Sequence, residues 1–153
     1  MDMILWRHAE AFEARDVEDD LDRALTPKGE RQAQRMAAWL NRQLPASTRV
    51  LVSPARRAQL TAAALERKFK TVAALAPEAT VEALLHSVRW PEAREPVLVV
   101  GHQPTLGLVA AYLLSGEPQA WSVRKGGVCW LRARQRDTGL QVVLQAVIGP
   151  DQL

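Results

Sequence analysis

The sequence predicts a three-layer α/β/α fold, with a mostly parallel central sheet, helices on both faces and an antiparallel hairpin at the C-terminal end. Two observations carry this. Short runs of Val, Ile and Leu alternate with longer segments of helical period, and the first three runs are apolar throughout, as strands covered on both faces should be. The last part of the chain breaks that rhythm with two strand-like runs joined by a short polar turn.

Taken in order, Met3-Ile4-Leu5-Trp6 is the first strand. Thr26 then supplies an N-cap and Pro27 the first helical position of a helix with Ala33, Met36, Ala37, Leu40 and Leu44 along one face, ended by Pro45. Val50-Leu51-Val52 is the second strand, and Ser53-Pro54 opens a helix whose stripe continues through Ala58, Ala62, Leu65 and Phe69. A weaker helical pattern covers residues 78–88. Val97-Leu98-Val99-Val100 is the third strand, followed by a helix from Pro104 to Leu114 that Ser115-Gly116 stops. Residues 128–134 and 140–148 pair as a hairpin across Asp137-Thr138-Gly139 and extend the sheet at one edge. No repeat, low-complexity tract or long linker divides the chain, so a single domain over residues 1–153 is expected.

Composition narrows the function. With 153 residues and 48% hydrophobic side chains, the chain can bury a core of its own. No run approaches the ~20 apolar residues of a membrane helix, and the start lacks a basic, apolar leader, which points to a soluble cytoplasmic protein without a membrane partner. Cys129 stands alone, which rules out an internal disulfide or a thiolate metal cluster, and its apolar neighbours make it a core residue. The net charge of +3 comes from scattered basic residues, so a small anionic group is a better ligand than a nucleic acid.

Chemistry concentrates at one edge of the expected sheet. His8 follows the first strand by one residue, and His102 follows the third after Gly101. Ser53-Pro54 follows the second and places Arg56 and Arg57 in the first turn of a helix. Ligands bind in open α/β folds at this carboxyl edge, where loops and helix N-termini converge. An arginine there adds a full charge and a planar fork of donors to a site already suited to phosphate. Arg7, His8, Arg57 and His102 together describe a phosphate cradle containing a nucleophile. The nearby cations oppose protonation of His8 and keep a ring nitrogen free to attack phosphorus.

Leu5-Trp6-Arg7-His8-Ala9, Leu25-Thr26-Pro27-Lys28-Gly29, the run from Ser53-Pro54 through Arg56-Arg57-Ala58 to Thr61, and Val100-Gly101-His102-Gln103-Pro104 resemble, in order and spacing, the histidine phosphatase superfamily. The likeness is greatest to its short SixA-type phosphohistidine phosphatases, and it extends to Lys125-Gly126-Gly127 before the hairpin. The resemblance implies a phosphoglycerate mutase-like fold and a nucleophilic His8. It also implies that Arg7 and Arg57 bind phosphoryl oxygens, that His102 binds them from the other side, and that Arg23 is a further contact. Arg57, four residues before Thr61, matches the pattern and Arg56 does not; adjacent helical residues point about 100° apart and cannot share one role. Ala9 stands where relatives often have Gly. The proton-donating acid of many relatives has no clear counterpart: Glu78 and Glu82 lie in the right region but in a SixA-like setting. The acidic run Asp16, Glu18, Asp19, Asp20 and Asp22 offers Asp20, then Asp19, as acid or base. A P–N bond to imidazole is labile and needs less help from a proton donor than a phosphoester, so the missing acid favours phosphohistidine on a phosphotransfer-type protein.

Rival readings share parts of this pattern. A phosphatase of small phosphoesters or a sugar-acid mutase would use the same site, although mutases carry added helical segments. A non-catalytic phospho-binding module would not need both histidines intact. A metal site normally needs three or more converging ligands, and Arg7 and Arg57 would repel the cation, so neither metal nor other cofactor is expected. His86, among Leu84, Leu85 and Val88, reads as a surface or packing residue, and Trp6, Trp39, Trp90, Trp121 and Trp130 as core or rim packing.

Overall fold

The computed structural model describes residues 1–17 and 19–153. Strand β1 (Asp2–Arg7) leads through helix α1 (Pro27–Gln43) to β2 (Arg49–Val52), and through α2 (Arg56–Ala63) to β3 (Lys70–Thr71). Helix α3 (Val81–Val88) precedes β4 (Val97–Gly101), and α4 (Thr105–Ser115) precedes the hairpin β5 (Val128–Arg136) and β6 (Gly139–Ile148). The strands form one six-stranded sheet in the order β3-β2-β4-β1-β5-β6. Its first four members are parallel, and β5 and β6 add antiparallel strands at the edge beyond β1. This is the expected α/β architecture.

The period of two along the strands divides the core. Ile4, Trp6, Val50, Val52, Leu98, Val100, Val128 and Trp130 point to one face, covered by Met36, Ala37 and Leu40 of α1 and Ala58 and Ala62 of α2. Met3, Leu5, Leu51, Val97, Val99, Cys129 and Leu131 point to the other, covered by Leu84 and Val88 of α3 and Leu106, Val109 and Ala110 of α4. Each fully buried side chain of this size contributes roughly 1.5–3 kcal/mol. Neighbouring strands β1 and β4 thus send their following helices to opposite faces, which opens a crevice beyond their carboxyl ends.

Several boundaries differ from the sequence expectation. Helix α2 starts at Arg56 with Ala55 at its N-cap and no side-chain cap, while Ser53 accepts only the Ala55 N–H ahead of it. It stops at Ala63, since Glu66 at φ 54° leaves the helical region. Leu65 and Phe69 still pack against the core from the connection beyond, so the apolar stripe outlasts the helix that was expected to carry it. That connection leads into the two-residue edge strand β3, too short for any periodicity to announce. Within residues 78–88 the helix begins only at Val81, where Thr80 accepts a hydrogen bond from the Ala83 N–H (3.1 Å). The hairpin is longer than expected, with Gly139 at φ 118° taking the backbone conformation that a side chain would oppose.

Candidate active site

The loop after β1 is held from three sides. The Arg7 N–H donates to the Gly127 carbonyl and the His8 N–H to the Gly101 carbonyl, both at 3.0 Å. The Gly126 N–H donates back to the carbonyls of Arg7 and His8 (3.1 Å), and the Trp6 indole N–H donates to the Gly126 carbonyl (3.0 Å). The Ala9 N–H donates to Thr61 Oγ1 (3.0 Å), and the Thr61 hydroxyl to the Arg57 carbonyl (2.7 Å), tying the loop to α2. Thr26 caps α1 by accepting from the Gly29 N–H (3.0 Å) and donates to Glu10 Oε2 (2.7 Å). A Cβ on Gly29 would run into the Glu10 carbonyl oxygen, so glycine is required where α1 meets this loop. The motifs separated along the sequence are thus the parts that grip one another.

They enclose a cavity of about 160 Å³ lined by Arg7, His8, Arg23, Arg57 and His102, with Glu13, Gln103 and Lys125 on its walls. His8 is 7% exposed, and its Nδ1 lies 2.8 Å from the Ala9 carbonyl. A carbonyl oxygen only accepts, so Nδ1 carries the proton and the Nε2 lone pair is left free. Burial, followed by the charges of Arg57, Arg7 and Arg23, pushes the His8 pKa down to about 4, against an opposing contribution from the Ala9 bond. The ring is therefore neutral near pH 7.

His102, 3% exposed, stands with its ring centroid 5.1 Å from that of His8. Its Nε2 is 2.7 Å from Ser53 Oγ, which also accepts from the Ala55 N–H (3.1 Å). Donation to Nε2 gives the buried Ser53 proton an acceptor and puts the imidazole proton of His102 on Nδ1. That nitrogen is buried and has no partner among the described residues. Burial first, then His8 and Arg57, lowers the His102 pKa to about 3.

The arginines are braced but incompletely paired. Arg57 donates from its two terminal nitrogens to the Asp20 carbonyl (2.9 Å) and Asp20 Oδ2 (3.1 Å). Arg23 donates from Nε to Asp20 Oδ1 (2.9 Å) and from a terminal nitrogen to the Phe12 carbonyl (3.0 Å). Arg7 donates to the Val123 carbonyl (2.9 Å). The Nε of Arg7 and the Nε of Arg57 are buried without partners, like His102 Nδ1. An unsatisfied buried donor costs roughly 1–3 kcal/mol, so three around one small cavity favour an oxyanion there. Arg56 is exposed and reaches only the Asp22 carbonyl (3.3 Å).

The expected acid/base residues lie elsewhere. Asp20 does not line the cavity and sits behind Arg23 and Arg57. Its slight burial acts to raise its pKa, but the two arginine charges prevail and keep it below the usual carboxylate range, so it braces cations and holds no proton to donate. Asp19 accepts from the Leu21 N–H (3.0 Å) to cap its own turn. Glu18 lies outside the described residues. Glu78 and Glu82 are exposed and do not line the cavity. The carboxylate on the cavity wall is Glu13, which no motif marked, and Ser53 was mistaken for a helix opener. His86 is exposed on α3, and burial pushes the Cys129 thiol up to about 11. Among the described residues, no group of three or more His, Cys, Asp or Glu is placed to hold a metal ion.

The profile of the histidine phosphatase superfamily (branch 1) matches residues 3–82, and phosphohistidine phosphatase SixA of Escherichia coli is 35% identical over 129 residues, 76% of each chain. The chain belongs to the histidine phosphatase superfamily. It is a phosphatase, and a histidine nucleophile is the general mechanism of this family. The structure of a protein histidine phosphatase SixA complexed with tungstate superposes with a TM-score of 0.78 over 99% of both chains, at 26% identity. A phosphoserine phosphatase of Entamoeba histolytica shares the fold alone, with a TM-score of 0.73 at 16% identity over 99% of this chain and 98% of that one. Among the described residues, no helix is long and apolar enough to cross a membrane.

Proposed function

We propose that this histidine phosphatase removes the phosphoryl group from phosphohistidine on a cytoplasmic phosphotransfer-type protein, through a phosphorylated His8. The observation that carries the reading is the Nδ1 bond of His8 to the Ala9 carbonyl, which leaves Nε2 free in a cavity whose lining residues Arg7, Arg57 and His102 each carry a buried donor without a partner. In the first displacement Nε2 bonds to phosphorus as the substrate P–N bond breaks, its electron pair leaving with the substrate imidazole, which takes up a proton from solvent. In the second, water attacks phosphorus, the P–Nε2 pair returns to His8, and the water proton passes to solvent as inorganic phosphate leaves. Arg7, Arg57 and His102 Nδ1–H hold the phosphoryl oxygens while charge moves between the apical atoms. Arg23 completes the rim, Asp20 braces Arg23 and Arg57, and Ser53 sets the His102 tautomer.

Two further points support this substrate. The 35% identical relative is a phosphohistidine phosphatase by name, and a SixA structure carries tungstate, a tetrahedral oxyanion of the phosphate type. Among the described residues the cavity wall carries a single carboxylate, Glu13, and a leaving imidazole needs less help from a proton donor than a leaving alkoxide. Small phosphoesters are the second reading, favoured by the fold shared with a phosphoserine phosphatase.

The test is a rapid alkaline quench, because phosphohistidine survives base. With radiolabelled phosphohistidine protein, wild type should carry label in the first turnover and His8→Asn none. Turnover by His8→Asn above about a hundredth of wild type would remove the nucleophile from the scheme. Faster hydrolysis of p-nitrophenyl phosphate or sugar phosphates than of the phosphohistidine protein would replace the substrate.

A further inference from the structure

Beside the catalytic cavity lies a second depression of about 640 Å³, and the two share Arg7 and Lys125. Its wall is a stripe of α1: Lys28, Arg31 and Arg35 recur at a spacing of three and four residues and so stand above one another on one side of the helix. Arg124 forms part of the facing wall. Gln32 lies in the same stripe and accepts a hydrogen bond from the Glu10 N–H (2.9 Å), so this face of α1 is fixed to the loop that follows His8.

Surface cations are usually solvated and interspersed with acids, and this chain has nearly as many acids as bases: 17 against 20. Here the signs are segregated. Six cations, Arg7 included, line the depression with one carboxylate, Asp151. Asp151 pairs only with Arg124, at 3.3 Å and with both side chains mostly exposed, so that pair is weak. Among the described residues, Lys28, Arg31, Arg35 and Lys125 form no ion pair. The catalytic cavity holds only about 160 Å³, so most of a phosphoprotein substrate must lie outside it.

We propose that the basic groove along α1 is the docking surface for an acidic segment of the phosphoprotein substrate, which places carboxylate side chains against Lys28, Arg31 and Arg35 while the phosphohistidine enters the cavity. The proposal rests on the phosphohistidine reading and adds a specificity to it: Asp and Glu beside the phosphorylated histidine promote capture. Rim charges of this kind act through encounter and KM, leaving the chemical step unchanged.

The test uses two phosphohistidine peptides, one flanked by glutamates and one by glutamines, together with phosphoimidazole. Wild type should favour the glutamate peptide through KM, and added salt should erase the preference. Lys28→Glu/Arg31→Glu/Arg35→Glu should raise KM for the glutamate peptide about thirtyfold, and change kcat and phosphoimidazole hydrolysis by less than about twofold. All three positions are exposed, and unchanged phosphoimidazole turnover reports an intact fold. Equal handling of the two peptides by wild type, or an unchanged KM in the variant, would overturn the groove assignment while leaving the phosphohistidine reading standing. A short RNA that inhibits the glutamate peptide more strongly than polyglutamate does would assign the groove to nucleic acid and equally overturn it. Failure of wild type to hydrolyse phosphoimidazole and both peptides would overturn the phosphohistidine reading, and this proposal with it.

Discussion

Strand β1 meets arginine at both ends, and the two ends are built for different purposes. At its start, Asp2 accepts two hydrogen bonds from Arg132 on β5 (2.7 and 2.9 Å) and a third from the Trp130 indole (3.2 Å). Hydrogen bonding from Arg132 holds the Asp2 carboxyl below its usual range, and both carboxylate oxygens of Asp2 have partners. At its finish, Arg7 and the nearby Arg57 keep buried Nε donors unpaired beside two neutral histidines. Charge that is matched within the protein joins strands. At the other end Asp20 matches the charge of Arg57 but the Nε donors stay free, and the fold sustains that cost because the loop around them is gripped by Gly101, Gly126, Gly127 and Thr61.

Exchanging the roles of the two ends gives the largest expected effect. Arg57→Ala should lower kcat/KM about a thousandfold, since the proposed scheme gives it an oxyanion contact as charge shifts in the transition state. Arg132→Ala should leave kcat/KM within about twofold of wild type, because no part of it lines the cavity. Comparable losses for both, measured by steady-state kinetics, would erase the distinction between the two ends.

The ends should also separate by pH. In the unfolded chain both imidazoles protonate near 6.5, whereas in the folded protein they are held down at about 4 for His8 and about 3 for His102. Across that window the unfolded chain binds more protons, so stability rises with pH. It is fully present above 6.5 and falls as acid is added, by about 1.4 kcal/mol per pH unit for each histidine. Unfolding free energies from urea titration at about pH 7 and about pH 5 should therefore differ by some 2 kcal/mol per histidine, and His8→Gln/His102→Gln should flatten the difference. Asp2, with its pKa lowered from 3.8, contributes stability that disappears only in stronger acid. A slope unchanged in the double variant would mean that other groups carry it.

The fully matched end should register in stability alone. Arg132→Gln is expected to cost about 1–2 kcal/mol by denaturant titration, because it leaves the half-buried Asp2 carboxylate without its bidentate partner. A cost below about 0.3 kcal/mol would reduce this contact to a solvated surface pair.

What the sequence revealed and what it hid follow the same physical division. Strands β1, β2 and β4 and the N-cap of α1 were legible because burial period and capping are local signals. Arg7, His8, Arg57 and His102 were legible because each directly follows a strand or opens a helix at the same sheet edge. Strand β3 was hidden because two edge residues carry no period. The setting of Asp20 was hidden because its acidic run suggested a proton donor, while its pairing depends on two arginines, one of them far along the chain. Glu13 carries no local signal at all; only the folded loop brings it to the cavity.

Ser53 shows how one residue can serve two signals. Its place before Pro54 reads as a helix start, and its side chain does accept the Ala55 N–H, yet its hydroxyl also lies 2.7 Å from His102 Nε2. If that contact sets the tautomer, Ser53→Ala removes the group that keeps the His102 proton on Nδ1, and Nε2 then competes for it. The expected result is a kcat lower by about tenfold with KM little changed, as for a donor that acts mainly in the transition state. Nitrogen-15 NMR of His102 should report an Nδ1–H ring in wild type and a mixture in the variant. A variant equally slow but still wholly in the Nδ1–H form would make Ser53 a packing residue, and the direction of the His102 proton would then have to be set by the phosphoryl group itself.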